Sequence, residues 1–125
     1  MERLLIPATA FSPEINFDEI SNILSISGES YPENASEFYQ PVFDWLTIYC
    51  LKPNREIRLE INLNYYNTSS SKILLQIFEK LESYHQKKGT AAVTWFYPDN
   101  DEDLLESGRE YSCDVELPFS FASCG

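Results

Sequence analysis

The chain has 125 residues, 43% of them hydrophobic and 14% aromatic, a size and composition that predict one compact domain over residues 1–125 with a single core. Its 20 acidic against 9 basic residues leave a formal net charge of -11, which argues against nucleic-acid phosphates or an anionic membrane as partner and favours a basic or mixed surface. Three cysteines with no C-x-x-C pair and no histidine at ligand spacing suggest neither a disulfide framework nor a zinc site.

At the start, only Leu4, Leu5 and Ile6 form an aliphatic run, too short for a signal peptide, and no apolar stretch approaches about 18 residues. The expectation is a soluble, cytoplasmic protein with reduced thiols. Next, "PEINF" and "ILSIS" flank the turn-rich "DEISN" and read as a β-hairpin. The chain then passes through Gly28 into "SGESYPENASEF", residues 27–38. Turn chemistry before a helix accounts for this stretch. The alternative is a recognition loop, in which exposed Tyr31 and rigid Pro32 give contact area at low entropic cost beside Glu33 and Asn34.

In "NASEFYQPVFDWLTIYCLKPN", Phe38, Val42, Trp45, Leu46 and Tyr49 keep helical spacing, and Asn34 with Glu37 is placed as a capping box. Pro41 would remove one backbone bond at a cost of about 3 kcal/mol in a helix interior, so a kink or break is predicted near Tyr39 to Pro41. Pro53 ends the segment.

The clearest strand is "IRLEINLNY", in which Ile57, Leu59, Ile61, Leu63 and Tyr65 alternate with Arg58, Glu60, Asn62 and Asn64. Period two over this length means one face toward the core and one polar face, hence a sheet covered on one side. After it, "SKILLQIFEKLESYHQKKG" carries an apolar stripe of Ile73, Leu74, Ile77, Phe78, Leu81 and Tyr84, with lysines near its end and Gly89 as its stop. "AAVTWFY" is a further strand. "DNDEDLLESGREY" reads as a weaker and short third helix because of Gly108. "VELPFSF" reads as a last strand, which Pro118 confines to an edge or bulge. The resulting order, hairpin, helix, strand, helix, strand, helix, strand, predicts an α/β sandwich on a mixed sheet with amphipathic helices.

Familiar catalytic arrangements are missing. The four glycines are too scattered for a phosphate loop. His85, the one histidine, falls in the last turn of the long helix, where a solvated group favouring the dipole is the plain reading. No spacing selects a cysteine to pair with it. "DNDEDLLE" lacks the glycine and closing glutamate of a calcium loop and reads as a solvated helix opening.

"NYYNTSSSK" stands apart, with Thr68, Ser69, Ser70 and Ser71 between a strand and a helix. Asn67 or Thr68 can cap that helix, worth about 1 kcal/mol, but one cap does not explain four hydroxyls. The alternative is a functional hydroxyl, because a helix N-terminus favours a phosphate by about 0.3 to 2 kcal/mol. The spacing leaves both readings open.

Taken together, "GESYPENASEF", "FDWL" and "LNYYNTSSSKILLQIFEKLE" in this order resemble the SiaC family of bacterial regulatory phosphoproteins, with similarity running from "IPAT" to "CDVELPF". The resemblance implies a fold like the anti-sigma factor antagonist, or STAS, domain. It implies Thr68 as the acceptor of a partner Ser/Thr kinase, within Asn67-Thr68-Ser69-Ser70, restored by a metal-dependent Ser/Thr phosphatase. It also implies that the unphosphorylated form binds and activates a diguanylate cyclase, raising cyclic di-GMP and promoting biofilm or aggregation. With the recognition-loop reading, the leading expectation places Tyr31, Pro32, Glu33 and Asn34 in the partner surface. STAS antagonists commonly offer Ser after Asp, whereas this chain offers Thr after Asn. The competing expectations are a small hydrolase using Cys113 or Thr68 as nucleophile, and a constitutive scaffold whose hydroxyls only cap.

Overall fold

The computed structural model describes residues 2–124. Six strands form one sheet in chain order: β1 (Leu4–Ile6), β2 (Glu14–Asp18), β3 (Ile23–Ser30), β4 (Glu56–Tyr66), β5 (Thr90–Tyr97) and β6 (Phe119–Ser123). The β1–β2 and β2–β3 pairs are antiparallel, whereas β3, β4, β5 and β6 run parallel. Helices α1 (Ala35–Tyr49), α2 (Thr68–Lys87) and α3 (Glu102–Asp114) make the three crossovers between the parallel strands. The expected mixed sheet, hairpin and element order are therefore present. The short aliphatic run at the start is an edge strand, which its three residues could not announce.

The alternation of β4 holds over most of its length. Ile57, Leu59, Ile61 and Leu63 are buried, while Arg58, Asn62 and Asn64 face solvent, so the helices cover one face of the sheet and leave the other polar. Tyr65 departs from the expected pattern and is 52% exposed. Gly28 of β3 pairs with Leu63 but Glu29 pairs with Tyr65, so Asn64 is an extra residue, a β-bulge that reverses the in-and-out order beyond it. Gly28 takes a φ of 115° at this point, a conformation open to glycine. The same reversal turns Tyr66 inward, with its ring 6.2 Å from that of Trp95.

Of the kink or break expected near Tyr39 to Pro41, the break is absent: helix α1 is continuous from Ala35 to Tyr49 with Pro41 inside it. Pro41 lies on the exposed side, and so does Glu37, whose carbonyl loses its bond and can turn to water. The buried stripe of Tyr39, Val42, Trp45, Leu46 and Tyr49 outweighs that loss. Helix α3 is likewise longer than expected, at 13 residues. Its Gly108 is a packing residue rather than a breaker, since a Cβ there would stand 2.6 Å from Cδ1 of the Trp95 ring. The last strand begins only at Phe119, after Pro118, and forms the sheet edge as expected.

His85 is half-buried rather than freely solvated, and its Nδ1 accepts the Ala91 N–H at 2.9 Å. It joins the end of α2 to the start of β5. Because β3, β4 and β5 are parallel, the starts of all three helices lie at their C-terminal ends, on one side of the molecule. Both stretches singled out in the sequence lie there.

Candidate functional site

Helix α2 is capped by Asn67, whose Oδ1 accepts the Ser70 N–H at 2.9 Å while its backbone carbonyl accepts the Ser71 N–H. Thr68 is the first helical residue. Of the two candidate caps, then, the asparagine serves, and no hydroxyl of the run is needed for capping.

The four hydroxyls separate into two classes. Ser70 is fully buried and accepts a hydrogen bond from Ser30 Oγ of β3 at 2.8 Å. Ser30, also fully buried, lies 2.7 Å from the hydroxyl of Tyr39 in α1. With the Ser30 proton committed to Ser70, Tyr39 is the donor to Ser30, and the chain runs Tyr39 to Ser30 to Ser70. Burial pushes the Tyr39 phenol up to about 12, against the smaller opposing effect of its bond to Ser30. Ser71 Oγ donates to the Thr68 carbonyl at 2.7 Å, and the Ser71 carbonyl accepts from Tyr111 of α3 at 2.8 Å. Burial also raises the phenols of Tyr66 and Tyr111 beside this turn. Thus β3, α1 and α3 all hold the first turn of α2.

Thr68 and Ser69 are exposed, and their hydroxyls have no protein partner among the described residues. A rigid turn therefore presents two free hydroxyls, and a hydroxyl held in one place by its backbone is well suited to a transferase that must align it in-line with a donor phosphate.

The other stretch stands beside it. Asn34 caps α1, its Oδ1 accepting the Glu37 N–H at 3.1 Å, and its Nδ2 meets the Glu37 carboxylate at 3.4 Å. The expected capping box is present, with its return contact made to the side chain of Asn34. Tyr31 is 40% exposed, Glu33 and Asn34 are exposed, and Pro32 is buried and shapes the turn. A groove of about 340 Å³ between the starts of α1 and α2 is lined by Glu33, Asn34, Ser36, Ser69, Lys72 and Gln76. A further link is the Asn67 N–H, which donates to the Ser30 carbonyl at 3.0 Å. Tertiary structure thus brings the Tyr-Pro-Glu-Asn loop and the Asn-Thr-Ser-Ser turn onto one surface.

Cys113 is exposed on α3, and His85 has its Nδ1 engaged by Ala91. No hydrogen bond links Cys113 or Thr68 to a general base among the described residues, and no cluster of three or more His, Cys, Asp or Glu among them could hold a metal ion. Ser30, Tyr39 and Tyr111, which hold the turn, carry no signal in a linear reading because their partners lie far off in the chain.

The family model for "SiaC family regulatory phosphoprotein" matches residues 6–124. The chain belongs to the SiaC family. As a SiaC-family chain it is 35% identical over 120 residues to an uncharacterized protein of Pseudomonas aeruginosa (strain UCBPP-PA14), covering 96% of this chain and 95% of that one. Among solved structures it is similar to apo-SiaC from Pseudomonas aeruginosa, with a TM-score of 0.88 and 34% identity over 98% of this chain and 100% of that one. It is also similar to a chain in the crystal structure of diguanylate cyclase SiaD in complex with its activator SiaC from the same species, with a TM-score of 0.90 and 34% identity over 96% of this chain and 98% of that one. The SiaC-family fold therefore extends over nearly the whole chain. No helix among the described residues is long and apolar enough to cross a membrane.

Proposed function

We propose that this SiaC-family chain is a non-enzymatic, cytoplasmic phosphorylation switch, one regulatory domain whose unphosphorylated form binds and activates a diguanylate cyclase and so promotes biofilm or aggregation through cyclic di-GMP. Thr68 accepts the phosphate from a partner Ser/Thr kinase, and a metal-dependent Ser/Thr phosphatase removes it. The observation that carries this reading is the sorting of the hydroxyl run: Ser70 and Ser71 are engaged in holding the turn, while Thr68 and Ser69 are exposed on it. Between those two, similarity to the SiaC family favours Thr68. The cyclase is favoured by the complex in which a similar protein is the activator of SiaD.

The physical consequence of the phosphate falls on the partner, not on the fold. At the start of α2 a phosphate is favoured by about 0.3 to 2 kcal/mol, since free N–H groups and the positive end of the helix dipole face it. In a packed interface the same group brings a charge of about -1.5 to -2, bulk and desolvation cost. A difference of about 3 to 4 kcal/mol between the two forms changes partner affinity a few hundredfold.

The test is to incubate the chain with its cognate kinase and ATP and map the phosphosite. Thr68→Ala is expected to lose labelling and Ser69→Ala to keep it; full labelling of Thr68→Ala at a serine overturns the assignment. Thr68→Asp is expected to weaken cyclase binding and activation with the melting temperature nearly unchanged.

A further inference from the structure

Three large aromatic side chains stand in solvent on the Thr68 side of the molecule: Phe11 at 51% exposure, Tyr31 at 40% and Tyr65 at 52%. They come from the loop after β1, the loop after β3 and the end of β4, and Tyr31 links the other two elements, through the backbone of the Phe11 loop on one side and the Tyr65 ring on the other. The Tyr31 N–H donates to the Phe11 carbonyl and the Tyr31 hydroxyl to the Ala10 carbonyl, each at 2.8 Å. The Tyr31 and Tyr65 rings meet edge to face with centroids 5.7 Å apart. The Phe11 loop is itself fixed, since Thr9 Oγ1 accepts from the Ser12 N–H at 3.0 Å and lies 2.6 Å from Ser12 Oγ.

Tyr65 is exposed because of the backbone, not by default. Without the bulge at Asn64, the alternation of β4 would carry Tyr65 into the core beside Leu63. The bulge and the glycine conformation at Gly28 instead aim it outward next to Tyr31. Aromatic side chains held in water on one ordered surface forgo burial that the same residues would otherwise gain, and preorganised aromatic anchors of this kind carry much of the affinity in protein interfaces.

We infer that Phe11, Tyr31 and Tyr65 form the anchor of the surface that docks the diguanylate cyclase, an inference that rests on the phospho-switch reading above and names the contact it controls. Tyr65 lies three residues before Thr68, and the Tyr31 loop continues into the groove shared by Glu33 and Ser69. The exposed neighbours Glu29 and Glu33 give the cluster an acidic margin on a chain of net charge -11. The matching cyclase surface is therefore an apolar pocket flanked by Lys and Arg side chains. A phosphate on Thr68 adds negative charge and a hydration shell at the border of this contact, where both oppose docking.

The experiment measures binding of the full chain to its cognate diguanylate cyclase by calorimetry at low and high salt, with kinase labelling of each variant in parallel. Phe11→Ala and Tyr65→Ala are each expected to raise the Kd about tenfold or more and to keep wild-type labelling. Glu29→Lys is expected to weaken binding at low salt and to lose most of that effect at high salt. Ile20→Ala, at the 85% exposed residue of the β2–β3 turn on the opposite side, serves as the control with wild-type affinity. Unchanged affinity in both aromatic variants, with Thr68→Asp still weakening binding, overturns the anchor and leaves the switch standing. A wild-type chain that does not bind the cyclase overturns both. Lost labelling with intact cyclase binding assigns the cluster to the kinase and overturns it as the cyclase anchor.

Discussion

Ser30 and Ser70, forty residues apart in the chain, share a hydrogen bond of 2.8 Å in the fully buried space between β3 and the first turn of α2. Together with Tyr39 this contact removes one hydroxyl from the run of four and positions the turn that presents Thr68 and Ser69. Removing Ser30 leaves the buried Tyr39 hydroxyl without its acceptor. Ser30→Ala is expected to lower stability by about 1–3 kcal/mol, and Ser70→Ala by less, since Ser30 keeps Tyr39. Urea denaturation of the two variants checks the order. Equal and negligible losses would mean that the network does not hold the turn.

The cap and the proposed acceptor are neighbours with different tasks, and their variants separate them. Asn67→Ala is expected to cost about 1 kcal/mol, because Asn67 Oδ1 holds the Ser70 N–H. Thr68→Ala, at an exposed first-turn position, is expected to remain within about 0.5 kcal/mol of wild type. Calorimetric melting of both variants checks this. A loss at Thr68 equal to that at Asn67 would return the threonine to a structural role.

Gly108 makes room for the Trp95 ring. Alanine is the better helix former by up to about 1 kcal/mol, but its Cβ would stand 2.6 Å from the indole. Trp95 is 1% exposed, and its Nε1 donates to the Leu104 carbonyl at 3.0 Å, so the ring has little freedom to retreat. Gly108→Ala is expected to destabilise by about 1–3 kcal/mol and to change tryptophan fluorescence. A more stable variant would show that helix propensity governs this site.

Alkaline pH tests the buried phenols. Burial raises Tyr39 from 10.0 to about 12 in the folded protein, with Tyr49 and Tyr111 raised further. A phenol with a raised folded value contributes stability that is fully present below about pH 10 and is lost as pH rises through about 12. The urea midpoint is therefore expected to hold steady up to that window and then to fall. Tyr39→Phe is expected to fall less steeply. A midpoint that is flat throughout the window would contradict the burial of these groups in solution.

Much of the architecture was legible in the residues. Period two marked β4, the apolar stripes marked α1 and α2, and the hairpin, the edge position of the last strand and the order of elements all followed from local signals. These signals work because burial of one face imposes a spacing that neighbouring residues must obey. The break weighed at Pro41 and the short helix read from Gly108 misled for a common reason. Each residue has a local cost, a lost bond in one case and a low helix propensity in the other, and each is overruled by packing with residues distant in the chain.

The candidate site divides along the same line. Local chemistry placed a surplus of hydroxyls at a helix start, because strand pattern, cap and stripe lie within one continuous stretch. Which of them are free depended on Ser30, Tyr39 and Tyr111, brought from β3, α1 and α3. Tyr65 depended on a bulge between two strands whose pairing no single stretch can encode. Periodicity describes how a segment meets a generic core, whereas the exposure of one side chain is set by the particular atoms that come to lie against it.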